Sequence, residues 1–154
     1  MHPRFLTAIE QLEPKFQQLV TMAPVRYGAI SVPVPDRGIY LFSEGHDHLY
    51  VGRTNRLRGR LRDHCSPGGD HNKATFAFFL ARHETGRRAT YTKSGSRKEL
   101  CLDSIFGPTF TRAKERVSRM DIRFVEEGNA TSQALLEIYV ATVLGARYND
   151  FDNH

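Results

Sequence analysis

The chain has 154 residues, 40% hydrophobic and 25% charged, an ordinary globular balance with enough length to bury a core without disulfide or metal staples. Its net charge of +5 is segregated: residues 52–98 hold 12 Lys/Arg against three acids, whereas residues 121–154 hold two against six. No apolar run approaches the roughly 20 residues of a membrane span and no signal-peptide pattern opens the chain, so no membrane partner is expected and the location is expected to be cytoplasmic.

In chain order, Leu6, Ile9, Leu12, Phe16, Leu19 and Val20 recur at three- and four-residue steps, which predicts one amphipathic helix over 3–22 that packs on the domain. Pro24, Pro33 and Pro35 make 23–36 an extended connector. Two strands follow, about 38–43 and 47–52. Thr54 or Asn55 caps a helix to about Cys65, stopped by Ser66-Pro67-Gly68-Gly69. Asn72 is expected to cap a second helix to about His83, burying Phe76, Phe79 and Leu80. Residues 85–98 are basic and rich in Gly, Ser and Thr, and are expected to form a mobile loop. A helix over about 108–118, a strand over 121–126 and a helix over about 130–145, opened by Gly128-Asn129, complete the chain. No internal repeat is present. The fold class is α+β, and 1–154 is expected to be a single domain.

The hairpin carries Gly38-Ile39-Tyr40 and Tyr50-Val51-Gly52. A turn centred on Gly45 sets Tyr40 directly opposite Tyr50, on one face. In the helix after it, Leu57 and Leu61 define the buried side, and Arg58 and Arg62 fall on the far side. Arg60 and His64, also one turn apart, fall beside the leucines and lean toward the sheet. An Arg and a His at the margin of a core need polar partners, and two phenols serve.

Gly38-Ile39-Tyr40, Tyr50-Val51-Gly52, and Arg60 and His64 ten and fourteen residues past Tyr50 resemble the GIY-YIG nuclease family. The resemblance implies a small antiparallel three-stranded sheet flanked by helices, here with an extra N-terminal helix. It covers 38–65 closely and 120–150 in outline. It implies a metal-dependent DNA endonuclease that hydrolyses phosphodiester bonds. It further implies a glutamate metal ligand on a later helix and an asparagine shortly after that helix. Glu137 is the one acid in the apolar final helix, and Asn149 follows twelve residues on. In this reading Glu137 holds one Mg2+ or Mn2+, which keeps several waters and binds through few carboxylates. Arg60 stabilises charge growing on the phosphate. The family points to Tyr40 as general base, with Tyr50 and His64 orienting water or relaying the proton. Asn149 positions Glu137 or a neighbouring strand. Residues 1–36 are then helix and connector, and 37–150 a catalytic core with a helical, basic insertion at about 66–118. That insertion and the N-terminal helix depart from the most compact members.

Arg53, Arg56, Arg58, Arg62, Arg87, Arg88, Lys93, Arg97 and Lys98 are candidate phosphate-backbone contacts, which are independent of base sequence. His46-Asp47-His48 falls in the hairpin turn and reads as exposed polar sequence. Cys65 lacks the spaced partners of a zinc site. DNA, most simply double-stranded, is the expected partner, with a protein partner or an oligomer as a source of specificity. The alternatives are a catalytically silent nucleic-acid-binding module and a nuclease for RNA or branched DNA.

Overall fold

A computed structural model describes residues 1–152. Its elements are α1 (Pro3–Glu10), α2 (Leu12–Thr21), β1 (Gly38–Glu44), β2 (Asp47–Thr54), α3 (Leu57–Cys65), α4 (Thr75–Thr85), a 3-10 turn (Lys93–Gly95), α5 (Arg97–Leu102), α6 (Phe106–Ser118), β3 (Asp121–Glu126) and α7 (Ala130–Leu144). This is the expected α+β fold, an antiparallel three-stranded sheet with flanking helices. The chain forms two compact units, residues 1–59 with those from 120 onward, and residues 60–119. No helix of the described residues is long and apolar enough to cross a membrane.

In the first unit the strand order is β2-β1-β3, with β1 central and both pairings antiparallel. Alternation sorts the side chains. Ile39, Leu41, Val51 and Val125 join one apolar cluster with Leu12, Phe16 and Leu19 of α2 and Leu136 and Val140 of α7. Each buried Leu, Ile, Val or Phe contributes about 1.5–3 kcal/mol, so this cluster fixes where α7 lies on the sheet. Asn129 caps α7 by accepting from Ser132 N–H at 2.9 Å, as the sequence led one to expect.

The single helix expected over 3–22 is two helices, separated at Gln11. Pro14 is the cause: it has no N–H to return to the Glu10 carbonyl, and its ring collides with that carbonyl in a continuous helix. The hydrophobic spacing that ran through the break persists on both sides of it, since Leu12, Phe16 and Leu19 are all buried.

In the second unit α4 and α5 pack on α6, and Phe78 meets Phe106 and Phe110 at ring distances of 5.0 and 5.8 Å. The expected Asn72 cap is displaced. Asp70 accepts from the N–H groups of Asn72 and Lys73 at 2.9 and 3.0 Å, and this turn delays α4 to Thr75. Phe76 and Leu80 are buried as expected, but Phe78 takes the interior place assigned to Phe79. Phe79 is partly exposed, with the Arg82 guanidinium 5.6 Å from its ring centre. Residues 85–98 include the 3-10 turn and the start of α5.

Candidate active site

The hairpin turns on Gly45 and His46, with Glu44 paired to Asp47. Gly45, at φ 58°, holds the first central position, where two-residue hairpin loops favour glycine. A bulge then inserts Leu49 between the Ser43–His48 and Phe42–Tyr50 pairs, so Tyr40 faces Gly52 and Tyr50 faces Phe42. The directly opposed phenols expected from a turn centred on Gly45 are therefore diagonal neighbours. The shift is a whole two-residue period, and both rings stay on one face. Their centroids lie 6.3 Å apart, tilted 47°. Tyr40 is 1% exposed and Tyr50 is half-buried.

Why glycines flank these tyrosines is a matter of space. A Cβ at Gly52 would lie 2.2 Å from the Tyr40 phenol oxygen, and one at Gly38 would lie 2.0 Å from the Val125 carbonyl oxygen. Glycine in a strand interior commonly marks such close approach. Gly52 thus belongs to the site as the floor beneath the Tyr40 hydroxyl. Sequence reasoning used it only as a motif letter.

Strand parity sends Arg53 to the other face, with Val51 and α7. There its Nε donates to Glu137 Oε2 at 3.0 Å. Burial pushes the Glu137 carboxyl above its ordinary range, and the Arg53 charge and hydrogen bond partly offset this. Arg53 is 49% and Glu137 21% exposed at the side chain, so the pair is solvent-screened and contributes at most about 1 kcal/mol.

Asn149, expected to position Glu137 or a neighbouring strand, bonds to β2. Its amide nitrogen donates to the Val51 carbonyl at 2.8 Å, and its oxygen accepts from Val51 N–H at 2.8 Å. Tyr148 N–H adds a bond to the Leu49 carbonyl at 3.1 Å. The segment after α7 is thereby tied to β2 one residue from Tyr50.

In the second unit, the half-buried Arg60 donates to the Lys73 carbonyl at 3.0 Å and to Thr75 Oγ1 at 2.7 Å. These partners at the start of α4 were not foreseen. They hold the guanidinium in one place, which suits a donor that must be pre-aimed. His64 is fully buried. Burial first, and the Arg60 charge second, hold its imidazole well below the ordinary histidine value, so it is neutral at neutral pH. Burial also pushes the Cys65 thiol up to about 12, making it an inert core residue.

The remaining cations divide by what already holds them. Arg87 is ion-paired to Asp103, and Arg97 lies 5.1 Å from the Phe78 ring centre. Arg58, Arg62, Arg88, Lys93 and Lys98 are exposed. Arg56 and Arg58 line a groove of about 360 Å³ in the first unit together with Arg37 and Asn55. Arg37 was missed, because as a single cation after the proline connector it carries no pattern. Of His46-Asp47-His48, expected in the turn, only His46 is there; at the start of β2, His48 Nδ1 lies 2.9 Å from Ser43 Oγ, and Asp47 lies 3.6 Å from Arg147. Among the described residues no group of three or more His, Cys, Asp and Glu side chains converges as a metal cluster.

No curated protein and no solved structure matches the chain. A family model, the GIY-YIG catalytic domain, matches residues 37–149, a span that runs from the glycine-tyrosine hairpin through Glu137 to Asn149. That domain implies a nuclease acting on phosphodiester bonds, and such nucleases generally use divalent metal ions. With most of its length matched, this chain belongs to the GIY-YIG family.

Proposed function

We propose that the chain is a metal-dependent DNA endonuclease in which a phenol activates water, Arg60 stabilises the phosphoryl charge and Glu137 holds the divalent ion. The observation that carries this reading is the phenol pair, with the Tyr40 hydroxyl seated over the bare backbone of Gly52 and the Tyr50 ring 6.3 Å away. A tyrosine kept only for packing needs no glycine beneath its oxygen.

The family resemblance points to Tyr40 as the base, but exposure favours Tyr50. Tyr50 is half-buried and has a solvent-accessible surface, whereas Tyr40 is 1% exposed. We assign proton abstraction to Tyr50 acting as the phenolate, which takes one proton from the attacking water and becomes the phenol as the resulting hydroxide attacks phosphorus. We assign the orientation of that water to Tyr40. His64, buried and held neutral beside Arg60, orients as an uncharged imidazole and is not the final proton acceptor. Arg60, aligned by Lys73 and Thr75, donates to the non-bridging phosphate oxygens. Asn149 holds β2, and with it Tyr50, in register.

A lone carboxylate with Arg53 on one oxygen fits Mg2+ or Mn2+, which usually keep several waters and bind through one or two carboxylates plus the phosphate. When bound, the ion supplies charge neutralisation at the phosphate and a lower pKa for water. Double-stranded DNA is the substrate we favour, because the exposed cations suit contacts to a phosphate backbone.

The test is supercoiled plasmid with purified protein at low salt in Mg2+, Mn2+ or EDTA, beside Arg60→Ala and Glu137→Ala. Nicking or linearisation that needs the metal and disappears in both variants, with their folds intact by circular dichroism, is the expected result. Full activity in either variant sinks the assignment. Salt-sensitive binding without cleavage points instead to a silent binding module or to an RNA or branched substrate.

A further inference from the structure

Residues 86–98, GRRATYTKSGSRK, hold five cations and no acid. Within them stands Tyr91, 97% exposed, the most exposed large hydrophobic side chain among the described residues. A single apolar group on a surface is ordinary and asks for no explanation. What sets this one apart is how the loop holds it and what surrounds it in the chain.

Thr90 N–H donates to the Gly95 carbonyl at 2.6 Å and Gly95 N–H donates to the Thr92 carbonyl at 3.2 Å, which closes residues 90–95 on themselves. The Thr90 and Thr92 hydroxyls, one on each side of Tyr91, bond to each other at 2.8 Å. The loop is anchored at both ends. Arg87 pairs with Asp103, whose carboxyl is held down to about 2 by the N–H groups of Phe106 and Ile105 and then by Arg87 itself. Ser96 caps α5 by accepting from Glu99 N–H at 3.3 Å, and Arg97 covers the Phe78 ring. Two of the five cations thus serve the loop's own attachment. Arg88, Lys93 and Lys98 remain exposed on either side of Tyr91 in the sequence.

We propose that Tyr91 is a base-stacking residue: its ring stacks on an unpaired or displaced nucleobase of the substrate while Arg88, Lys93 and Lys98 contact the flanking phosphates. The proposal rests on the nuclease reading and deepens it, since it makes accessible base faces a feature the enzyme recognises. In an intact duplex each base face is covered by its neighbours, and an aromatic ring must displace one to stack. At a mismatch, bulge, branch or single strand a face is already bare. Every base has such a face, so the contact tolerates any sequence. A ring held by a closed loop needs little ordering on binding.

The chain contains no tryptophan, so Tyr91→Trp places a single indole at this position. That variant is titrated in EDTA with an oligothymidine strand, with a base-free deoxyribose-phosphate oligomer of equal charge, and with a blunt duplex. Indole emission is followed beside the anisotropy of dye-labelled oligomers. Quenching by oligothymidine but not by bound base-free oligomer, with weaker quenching by the duplex, is expected. Tyr91→Ala is expected to bind oligothymidine about 5- to 150-fold more weakly than the parent, with base-free binding unchanged, and Tyr91→Phe to bind like the parent. Equal quenching by the base-free oligomer, undiminished binding by Tyr91→Ala, or no binding to any oligomer overturns the proposal. Plasmid cleavage by the parent separates the two readings. Stacking without cleavage in any metal refutes the nuclease and supports the stacking residue, whereas cleavage with an unquenched indole refutes only the stacking.

Discussion

Replacing Asn149 by Ala removes both of its 2.8 Å hydrogen bonds and leaves the Val51 N–H and C=O on the outer side of β2 without their partners. Two ordinary hydrogen bonds at about 0.5–1.5 kcal/mol each give an upper figure of about 3 kcal/mol. Asn149 is only half-buried and water can replace part of what is lost, so about 1–2 kcal/mol is the expected destabilisation. For a chain of this length that lowers the melting temperature by about 2–8 °C. Asn149→Asp sharpens the test. It keeps the acceptor for Val51 N–H but sets a carboxylate oxygen against the Val51 carbonyl, so it should be no better than Ala. Urea denaturation gives the energies, and exchange of the Val51 amide reports the strand directly. Cleavage at a temperature well below melting should fall with KM little changed, because Tyr50 loses its register while the exposed cations stay. An unprotected Val51 amide in the parent, or an Asn149→Ala protein as stable as the parent, refutes the strand-holding role. Lost cleavage with full stability and a protected Val51 amide would mean that Asn149 touches the substrate or the reacting atoms.

Gly52→Ala drives a methyl group into the Tyr40 phenol; overpacking of this kind costs about 1–3 kcal/mol, and kcat should fall even where the protein is fully folded. A variant that melts and cuts like the parent would show that the phenol does not sit there. The depressed pKa of His64 means that the unfolded chain takes up a proton near pH 6.5 while the folded one does not. Stability should therefore be lost as pH falls below about 6.5, with a slope of up to about 1.4 kcal/mol per unit, and His64→Gln should flatten that slope in thermal melts. Glu137 acts in the opposite sense. Its carboxyl is raised, so the folded state holds the extra proton and stability falls as pH climbs from about 4.3 toward the folded pKa. Glu137→Gln should abolish that fall and Arg53→Ala should extend it to higher pH, both read from urea midpoints.

Much of this architecture was legible because it is local. The spacing of Tyr50, Arg60 and His64 is a hairpin strand followed by one helix, and the Asn129 cap lies within three residues of its partner. Pro14 was legible too, but the hydrophobic spacing that continues across it masked the break. The register of the tyrosines was not legible, because the bulge at Leu49 depends on cross-strand packing and leaves no mark in residue type. Longer-range pairings were further out of reach. Arg53 meets Glu137 across 84 residues and Asn149 meets Val51 across 98, and no periodicity spans such a gap. Arg60 illustrates the middle case: its place one turn before His64 followed from spacing, whereas the Lys73 carbonyl and Thr75 hydroxyl that receive it depend on where Asp70 starts α4.

The ties that hold β2 have a second effect, on the company the sheet keeps. A three-stranded sheet has two margins, and rows of unsatisfied amides there invite other chains to add on as extra strands. Here the β2 margin is met at Leu49 and Val51 by Tyr148 and Asn149, and the β3 margin at Ile122 by Val25, through bonds of 2.9 and 2.8 Å. Neither patch is a full strand, yet the first lies midway along β2 and the second near the start of β3, and each interrupts the ladder that a newcomer would need. A second copy of the chain therefore meets an interrupted margin on each side of the sheet, which disfavours the edge-to-edge pairing that leads to fibrils.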